Sequence, residues 1–556
     1  NEARENNNNS NRIMTRSQLF ITPRINSNHI ITGTLMWETS QFQAEGSLLA
    51  TSRGPSTEIQ DPSANSQLAS LNSYSRENRA LGALANVNYT MLDRYIFQTN
   101  LRVDGSSKFG VSQRWGLFPS ASFGWRFSSE PFLADQNFMS DGKIRLSWGQ
   151  SGKQPKNPYD RHAIYNTMNP NQYIQNPIII PTQVQLDNLK WQTVSSWNLG
   201  LDLSFKNGRY NLTAELYDKI TSDLLWEGND KFSIPSSSGY TFLKAYNAGS
   251  VQNRGWELFV NGLVWDKGDH NLSLNFNISR NINTFLEFPE NFENEKDISI
   301  GNGDYPRRAD EGVPVGSFYG FIYNGVWPSD EDVVATNEFG EPLVDVQGNP
   351  IPLTYREEYE FKGGDAIYED INNDGKIDIL DVVYLGDSNP DFIGSFGFNY
   401  KWKKFTLNSM FFYRIGYEIV NEVAINTEGM LNRDNQSKAV LRRWRTPGQN
   451  EPDLLPRAYL FHPANNLGSD RYVEDGSFLR LNNVALSYRL SKQLTERLNL
   501  SMLQISLNMR KILTFTRYSG QDPEVSQKGS DPFWIGTDNA RTPPPRVYSL
   551  SINIGF

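Results

Sequence analysis

The stretch that decides the fold is residues 197–205, WNLGLDLSF, together with residues 210–216, YNLTAEL. In the first segment every odd-numbered residue is apolar, and the residues between them are Asn, Gly, Asp and Ser. This alternation is typical of a β-strand with one apolar face. Residues 206–208, KNG, separate the two segments, and Asn and Gly accept the positive φ angles of a tight turn. The segments are therefore predicted to form a β-hairpin.

The same alternation recurs along the chain. It is found in residues 256–264, 272–278, 396–402, 405–413, 503–509 and 548–556. Many of these segments reach the length of about 9–11 residues that a tilted strand needs to cross a membrane. Aromatic residues gather near their ends, as in residues 400–402, YKW, which is typical of an interfacial girdle. The pattern predicts a transmembrane β-barrel, with a large soluble β-protein as the alternative.

Composition excludes several other classes of protein. The 556 residues include no Cys, so disulfides, Cys zinc sites and Cys nucleophiles are impossible. The 53 basic against 62 acidic side chains argue against a nucleic-acid partner. The histidines have no paired ligand spacing, so we expect no enzyme, no catalytic residue and no bound organic cofactor. They are His29, His162, His270 and His462.

The connections between the predicted strands alternate in length. We predict an all-β chain of about fifteen antiparallel strands, with short connections near 24–27, 93, 206–207, 266–268, 403 and 491–497. Long connections are predicted at 49–77, 152–191, 222–250, 283–390, 417–476 and 511–544. Periplasmic turns and long extracellular loops alternate in this way in outer-membrane barrels, which places the C-terminal Phe556 at the periplasmic rim.

The strand count also bears on the size of the barrel. A bacterial barrel made of one chain has an even number of strands, so fifteen strands predict that further strands precede residue 1. A 22-stranded barrel with a plug, as in large outer-membrane transporters, is the expected whole. The Asn-rich start, residues 1–11, NEARENNNNSN, is interpreted as part of a loop.

Four segments resemble one family. Residues 94–126 contain RY, RVDGSSKFG and RWGLFPSASFGWR, and residues 129–133 read SEPFL. Residues 143–152 read KIRLSWGQSG, and residues 247–257 read NAGSVQNRGWE. These segments closely resemble SusC/RagA-type TonB-dependent outer-membrane transporters of Bacteroidota. The resemblance identifies residues 1–556 as the C-terminal part of such a barrel, without the family's plug, TonB box and small N-terminal domain.

The resemblance implies a function. The barrel would lie among the outer-membrane lipids of a Gram-negative bacterium and import a nutrient, a glycan or a peptide. A SusD-like lipoprotein lid would close over the extracellular loops, and TonB would pull the plug open from the periplasm. Two alternatives remain open: a SusC-like structural subunit of an outer-membrane assembly or secretion complex without a transport role, and a passive porin.

The resemblance points to the long loops as the contact region. Contact with the lid is expected from the loops that begin at Gly152, Thr221, Asn283, Tyr417 and Lys511. Individual substrate or lid residues are not assigned. Aromatic residues of the 283–390 loop are candidates for ligand or lid contact, with packing inside the loop as the alternative for each; they are Phe318, Tyr319, Tyr323 and Trp327.

A calcium loop is predicted inside the 283–390 insertion. Residues 370–381, DINNDGKIDILD, place oxygen ligands at positions 1, 3, 5, 9 and 12 of an EF-hand-like frame, with Gly at position 6 for the sharp bend. Asp stands at position 12 in place of the usual Glu. The predicted metal residues are Asp370, Asn372, Asp374, Lys376 through its backbone carbonyl, Asp378 and Asp381. The alternative is an Asp/Asn-rich turn closed by hydrogen bonds without metal.

A tight turn is predicted within the RVDGSSKFG segment. Asp104 and Gly105, with Ser106 and Ser107, are expected to form it, because Gly supplies φ angles that other residues avoid.

Overall fold

The computed structural model describes the whole chain except residues 1, 55, 57, 60, 134–135, 174–175, 228–244, 288–304, 306–310 and 525–534. The chain divides into two compact units. The first unit comprises Asn1–Leu203, Tyr217–Gln252 and Glu287–Phe292, and the second comprises Ser204–Leu216, Asn253–Leu286 and Glu293–Phe556.

Strands dominate the structure, and in chain order they are β1 (Glu2–Ile21), β2 (Arg24–Asn26), β3 (His29–Ser52), β4 (Gln67–Met91), β5 (Tyr95–Ser106), β6 (Trp115–Trp125), β7 (Met139–Lys153), β8 (Ile164–Tyr173), β9 (Asn176–Gln183), β10 (Gln192–Phe205), β11 (Tyr210–Ser222), β12 (Leu225–Glu227), β13 (Ala245–Asn247), β14 (Ser250–Lys267) and β15 (His270–Glu287). The later strands are β16 (Ser317–Gly320), β17 (Tyr323–Val326), β18 (Thr354–Tyr355), β19 (Tyr359–Glu360), β20 (Ala366–Tyr368), β21 (Lys376–Ile377), β22 (Val383–Asp387), β23 (Phe392–Trp402), β24 (Phe405–Ile415), β25 (Glu418–Asn421), β26 (Val473–Asp475), β27 (Phe478–Arg489), β28 (Met502–Thr516), β29 (Thr537–Asp538) and β30 (Val547–Gly555). The described α-helices are α1 (Glu422–Glu428) and α2 (Lys492–Arg497). Within the described residues, neither is long or apolar enough to cross a membrane.

The first unit contains a run of long strands in the order β1-β3-β4-β5-β6-β7-β10. Each strand is bonded to its neighbours in this order, and β3 pairs with β4 over its full length, from His29 opposite Met91 to Ser52 opposite Gln67. Strands β4 and β5 pair antiparallel, as do β5 and β6. A chain that pairs consecutive long strands in this way is an antiparallel meander.

The second unit continues the same pattern with β15-β23-β24-β27-β28-β30. Strand β23 turns into β24 at Lys403, whose φ is 52°, and Trp402 pairs with Phe405. The predicted hairpin turn at Lys206, Asn207 and Gly208 also has positive φ angles, of 49°, 57° and 80°. The sheet has 16 strands, against about fifteen predicted, and the additional one is the three-residue β2 beside β3. The prediction of an all-β, antiparallel fold is confirmed.

The apolar faces of the long strands do not pack into an interior. Trp197 on β10 is 54% exposed and Leu550 on β30 is 67% exposed. Leu216, Phe396 and Leu507 are exposed in the same way. A soluble sandwich would bury these side chains between two sheets, whereas the strands of a membrane barrel present them to lipid.

Two local predictions are wrong. The Asn-rich start lies in β1, not in a loop, and Asn6 pairs with Leu48 of β3. Polar side chains did not prevent this, because the strand is held by backbone hydrogen bonds to its partner. Asp104 and Gly105 lie inside β5, and the chain turns after Ser106. Gly105 is needed for space: a Cβ there would lie 2.8 Å from the ring of Trp115.

Candidate functional site

Two long connections of the second unit fold together and form a hydrophobic core of their own. The two connections are residues 311–391 and 416–477. We call the hydrophobic core that they share the loop core. Its buried members are Tyr319, Phe321, Val333, Ala335, Leu353, Tyr355, Phe361, Ala366, Tyr368, Ile377, Val382, Ala464 and Leu467. The insertion is therefore stiffened by apolar packing, which strand periodicity alone could not predict.

Backbone hydrogen bonds join the two connections. Phe321 donates its N–H to the carbonyl of Gly468 at 2.9 Å and accepts from the N–H of Asp470 at 3.1 Å. The Asp470 carboxylate accepts from the Tyr323 N–H at 2.8 Å. Because these bonds form a parallel bridge between Phe321 and Ser469, each connection supports the other.

A buried carboxylate lies at the centre of the loop core. Asp365 is fully buried and accepts hydrogen bonds from Arg457 at 2.6 and 3.1 Å, Tyr359 at 2.6 Å and Asn465 at 2.9 Å. The Lys362 N–H donates a further bond at 2.9 Å. A buried charge with this many partners is fully compensated, and it joins parts of the chain about a hundred residues apart.

The four aromatic candidates of the insertion are part of its packing. Phe318 and Tyr319 are buried, while Tyr323 and Trp327 are half-buried against the loop core. Burial agrees with the packing alternative for Phe318 and Tyr319, and the half-buried Tyr323 and Trp327 stay candidates for contact.

The exposed apolar residues of the insertion lie elsewhere. Phe339 is 78% exposed and Val346 is 96% exposed, each within a tight turn. Asn337 Oδ1 accepts the N–H groups of Phe339 and Glu341 at 3.0 and 2.9 Å, and Asp345 closes the second turn in the same way. We call residues 336–350 the finger. The residues NEFGE and DVQGN are typical of tight turns. The sequence does not show that these turns are exposed.

A second buried ion cluster joins strand β27 to the segment after β28. Arg480 is 1% exposed and donates to Thr514 Oγ1 at 2.9 Å and to Asp522 at 2.7 Å. A third bond joins it to Glu524. Arg414 also lies 4.0 Å from Glu524. The cluster holds the beginning of the 511–544 connection against the sheet.

Residues from several of the family-like segments contact one another at the rim where the short connections lie. Glu130 of the SEPFL segment accepts hydrogen bonds from Trp125 Nε1 at 3.0 Å, Tyr95 OH at 2.7 Å and Arg94 at 3.0 Å. The bonds from Trp125 and Tyr95, with the positive charge of Arg94, lower the pKa of the Glu130 carboxyl. Arg94 and Glu130, which lie 36 residues apart in sequence, thus belong to one group of contacting side chains.

Replacing Glu130 by Gln should reduce the acid sensitivity of the protein. A carboxyl with a lowered pKa stabilises the fold above its ordinary pKa, and this stabilisation is lost as the pH falls through the lowered value. The wild type should therefore lose thermal stability below about pH 4.5, and the variant should lose less over the same interval. Thermal unfolding between pH 3 and 7 measures the difference, and parallel pH profiles would contradict the assignment.

The RVDGSSKFG segment binds and packs against other loop segments of the first unit. The Lys108 ammonium donates to the carbonyls of Pro155 and Lys156 at 2.7 and 3.0 Å. Phe109 is fully buried, with its ring 4.5 Å from that of Trp191. The segment therefore positions the connection between β7 and β10.

The predicted calcium loop adopts a compact fold. Asp370 accepts the N–H of Gly375 at 2.7 Å, and Gly375 has the positive φ, 84°, that the bend requires. Asp381 is buried and accepts the N–H groups of Ile371 and Asp378 at 2.9 and 2.8 Å. Burial raises the pKa of Asp381 to about 6. Among the described residues, no three His, Asp or Glu side chains already converge as a metal site.

Comparison with known proteins assigns the fold to a family. A family model described as TonB dependent receptor-like, beta-barrel, matches residues 3–510. The chain belongs to this family. TonB-dependent receptors are outer-membrane transporters and not enzymes, and the resemblance to the SusC/RagA type is confirmed.

The relatives are longer than this chain. TonB-dependent receptor P3 of Formosa agariphila is 28% identical over 496 residues, which are 87% of this chain and 46% of the relative. SusC of Bacteroides thetaiotaomicron is 25% identical over 514 residues, 88% of this chain and 45% of that protein. The chain spans about half the length of the curated relatives that it matches. A structure of the RagAB peptide transporter shares the fold with a TM-score of 0.79 at 20% identity, over 100% of this chain and 56% of that one.

Proposed function

We propose that this TonB-dependent barrel imports a nutrient, a glycan or a peptide, together with a SusD-like lipoprotein lid. Family membership and the relation to SusC carry the proposal. TonB would supply the energy through the plug that the family carries, and the C-terminal strand β30 would end at the periplasmic rim. The long connections would then face the cell exterior, where the lid binds.

The finger is a candidate surface for contact with the lid. Its two turns present Phe339 and Val346 to solvent, and exposed apolar side chains on ordered turns are typical of protein contacts. Residues 328–355 contain six acidic and no basic residues. A lid surface with an apolar pocket and a basic rim would therefore complement the finger.

Replacing the two exposed apolar side chains of the finger tests its contact with the lid. The double variant Phe339→Ser/Val346→Ser should weaken binding of the lid lipoprotein by at least about tenfold, since apolar anchors carry most of the affinity of an interface. The full-length transporter is tagged in its native host, and the co-purified lipoprotein is identified and quantified. Leu494→Ser, at an exposed residue of the short connection 491–497, outside the loops expected to contact the lid, is the control and should retain the lid.

Uptake distinguishes import from its alternatives. A strain without the transporter should lose growth on its glycan or peptide, and a protonophore should stop uptake in the wild type. Uptake that continues without proton-motive force would favour a passive porin. Co-purification of assembly or secretion machinery, with no lid and no growth defect, would favour a structural subunit.

We also propose that residues 370–381 bind calcium in a structural role. Asp370 and Asp381 are placed at the first and last positions of the loop, and the bend at Gly375 directs the chain back toward Asp370. Oxygen atoms of Asn372, Asp374 and Asp378, with the Lys376 carbonyl, would complete the ligand set.

Calcium titration of the full-length protein tests this proposal. The wild type should bind one calcium ion in this loop and unfold at a higher temperature once it is bound. Asp374→Ala should abolish both effects. Asp345→Ala is the matched control, because Asp345 also accepts N–H groups in an exposed turn but lies outside the loop. Equal binding by wild type and Asp374→Ala would favour the turn without metal.

A further inference from the structure

A small basic cavity lies among the loops of the first unit, beyond the end of strand β5. Its volume is about 210 Å³. The lining side chains that matter here are Glu77, Arg79, Ser107, Tyr159, Arg161 and His162. None of these residues belongs to the loop core, the finger or the calcium loop.

The walls of the cavity are held by hydrogen bonds. Ser107 donates its N–H to the Arg79 carbonyl at 2.9 Å, and the Arg79 N–H donates to Ser107 Oγ at 3.0 Å. The Tyr159 hydroxyl accepts the Glu77 N–H at 3.0 Å, and the Tyr159 carbonyl accepts the His162 N–H at 2.9 Å. Three separate segments are thus fixed around one space.

One arginine of the cavity wall, Arg161, is not part of an ion pair within the part of the chain that the structure describes. Glu77 is paired with Arg79 at 2.8 Å. Arg161 donates its Nε to the Ser107 carbonyl at 3.1 Å, and Arg114 has a buried Nε without a hydrogen-bond partner. The ion pairs of the described residues include neither Arg161, which lines the cavity, nor Arg114, which does not line it. Two carboxylates belong to the same region: Asp187, whose charge acts on Arg161, and the buried Asp160, next to Arg161 in sequence.

Positive charges act on the ionisable side chains of the cavity. Burial lowers the pKa of Arg161, and the positive charge of Arg114 lowers it further, while Asp187 offsets part of this effect. Burial, Arg161 and Arg114 together lower the pKa of His162. A partly buried guanidinium that is acted on by other positive charges is stabilised when an anion binds beside it.

We propose that this cavity binds an anionic group of the imported nutrient, a carboxylate or a sulfate or phosphate ester. The volume suits one such group, and guanidinium groups bind the oxygens of these anions through paired N–H bonds. The inference rests on the proposed import function and specifies the substrate class: acidic glycans or acidic peptides are preferred over neutral ones.

Dextran oligosaccharides of one length test the preference without knowledge of the natural nutrient. Neutral dextran, carboxymethyl-dextran and dextran sulfate are titrated into the full-length protein in detergent. The wild type should bind at least one charged form about tenfold or more tightly than the neutral form. The charged form that binds with the higher affinity shows whether carboxylates or sulfate esters are preferred. Arg161→Gln should lose the preference, and Arg161→Lys should keep part of it. Arg114→Gln, at a residue that does not line the cavity, should keep most of it.

A control and a stability measurement separate binding from folding. Arg433→Gln, at an exposed arginine in a loop of the second unit, should bind like the wild type. Without oligosaccharide, Arg114→Gln should unfold at the same or a higher temperature than the wild type, because it relieves repulsion from Arg161. Equal affinity of the wild type for neutral and charged dextrans, or an unchanged preference in Arg161→Gln, would overturn the proposal. A retained preference with no nutrient uptake would instead count against the import function.

Discussion

Asp365→Ala should unfold the loop core while the long strands stay intact. The substitution leaves the Arg457 guanidinium and the buried Asn465 amide without their shared acceptor. Removing one partner from a buried ion pair costs about 3–5 kcal/mol, because the remaining charge is not compensated. Hydrogen exchange in the full-length protein should show rapid exchange in the 311–391 and 416–477 connections and unchanged protection in β23 and β24.

The matched control for this prediction is Asp345→Ala. Asp345 is an acceptor in an exposed turn of the same insertion, and its loss removes local bonds without exposing the core. It should change exchange only within the finger. If Asp365→Ala also left the connections protected, apolar packing alone would hold the loop core.

Arg480→Met should release the segment that follows strand β28. The substitution leaves Asp522 and Glu524 side by side, with Arg414 as the nearest remaining cation at 4.0 Å from Glu524. We expect a loss of about 3–5 kcal/mol in the local stability of this segment. Limited proteolysis and hydrogen exchange of residues 511–524 measure it.

A second variant identifies the cause of that loss. Arg480→Met/Asp522→Asn/Glu524→Gln removes the uncompensated charges as well, and it should recover part of the lost protection. Arg489→Met, an exposed position at the other end of β27, should have no effect. A triple variant no better than the single one would show that the arginine acts through packing.

Strand periodicity predicted the sheet well, because each long strand must present an apolar face to one side. The hairpins at residues 206–208 and at Lys403 follow directly from this alternation and from residues that accept positive φ. It failed for the first part of β1, where residues 6–9 are all Asn. Their backbone pairs with β3 regardless of side-chain polarity, and that pairing cannot be read from one strand alone.

The loops were harder to predict, because their structure depends on contacts between distant segments. The calcium loop is a prediction from local spacing alone. The contact of Glu130 with Trp125 and Tyr95, the Asp365 cluster and the Arg161 cavity each join residues from separate turns or strands. Such sites consist of ordinary Arg, Asp and Tyr residues whose sequence spacing carries no signal.

The bridge between Phe321 and Ser469 makes two surface loops act as one mechanical element. A force applied to either loop reaches the other through main-chain bonds, without a side chain having to move. If the lid opens and closes over these loops, they should tilt or stay still together. A transporter with a disulfide engineered across this bridge should cycle normally, whereas loops that had to separate during transport would be locked by it.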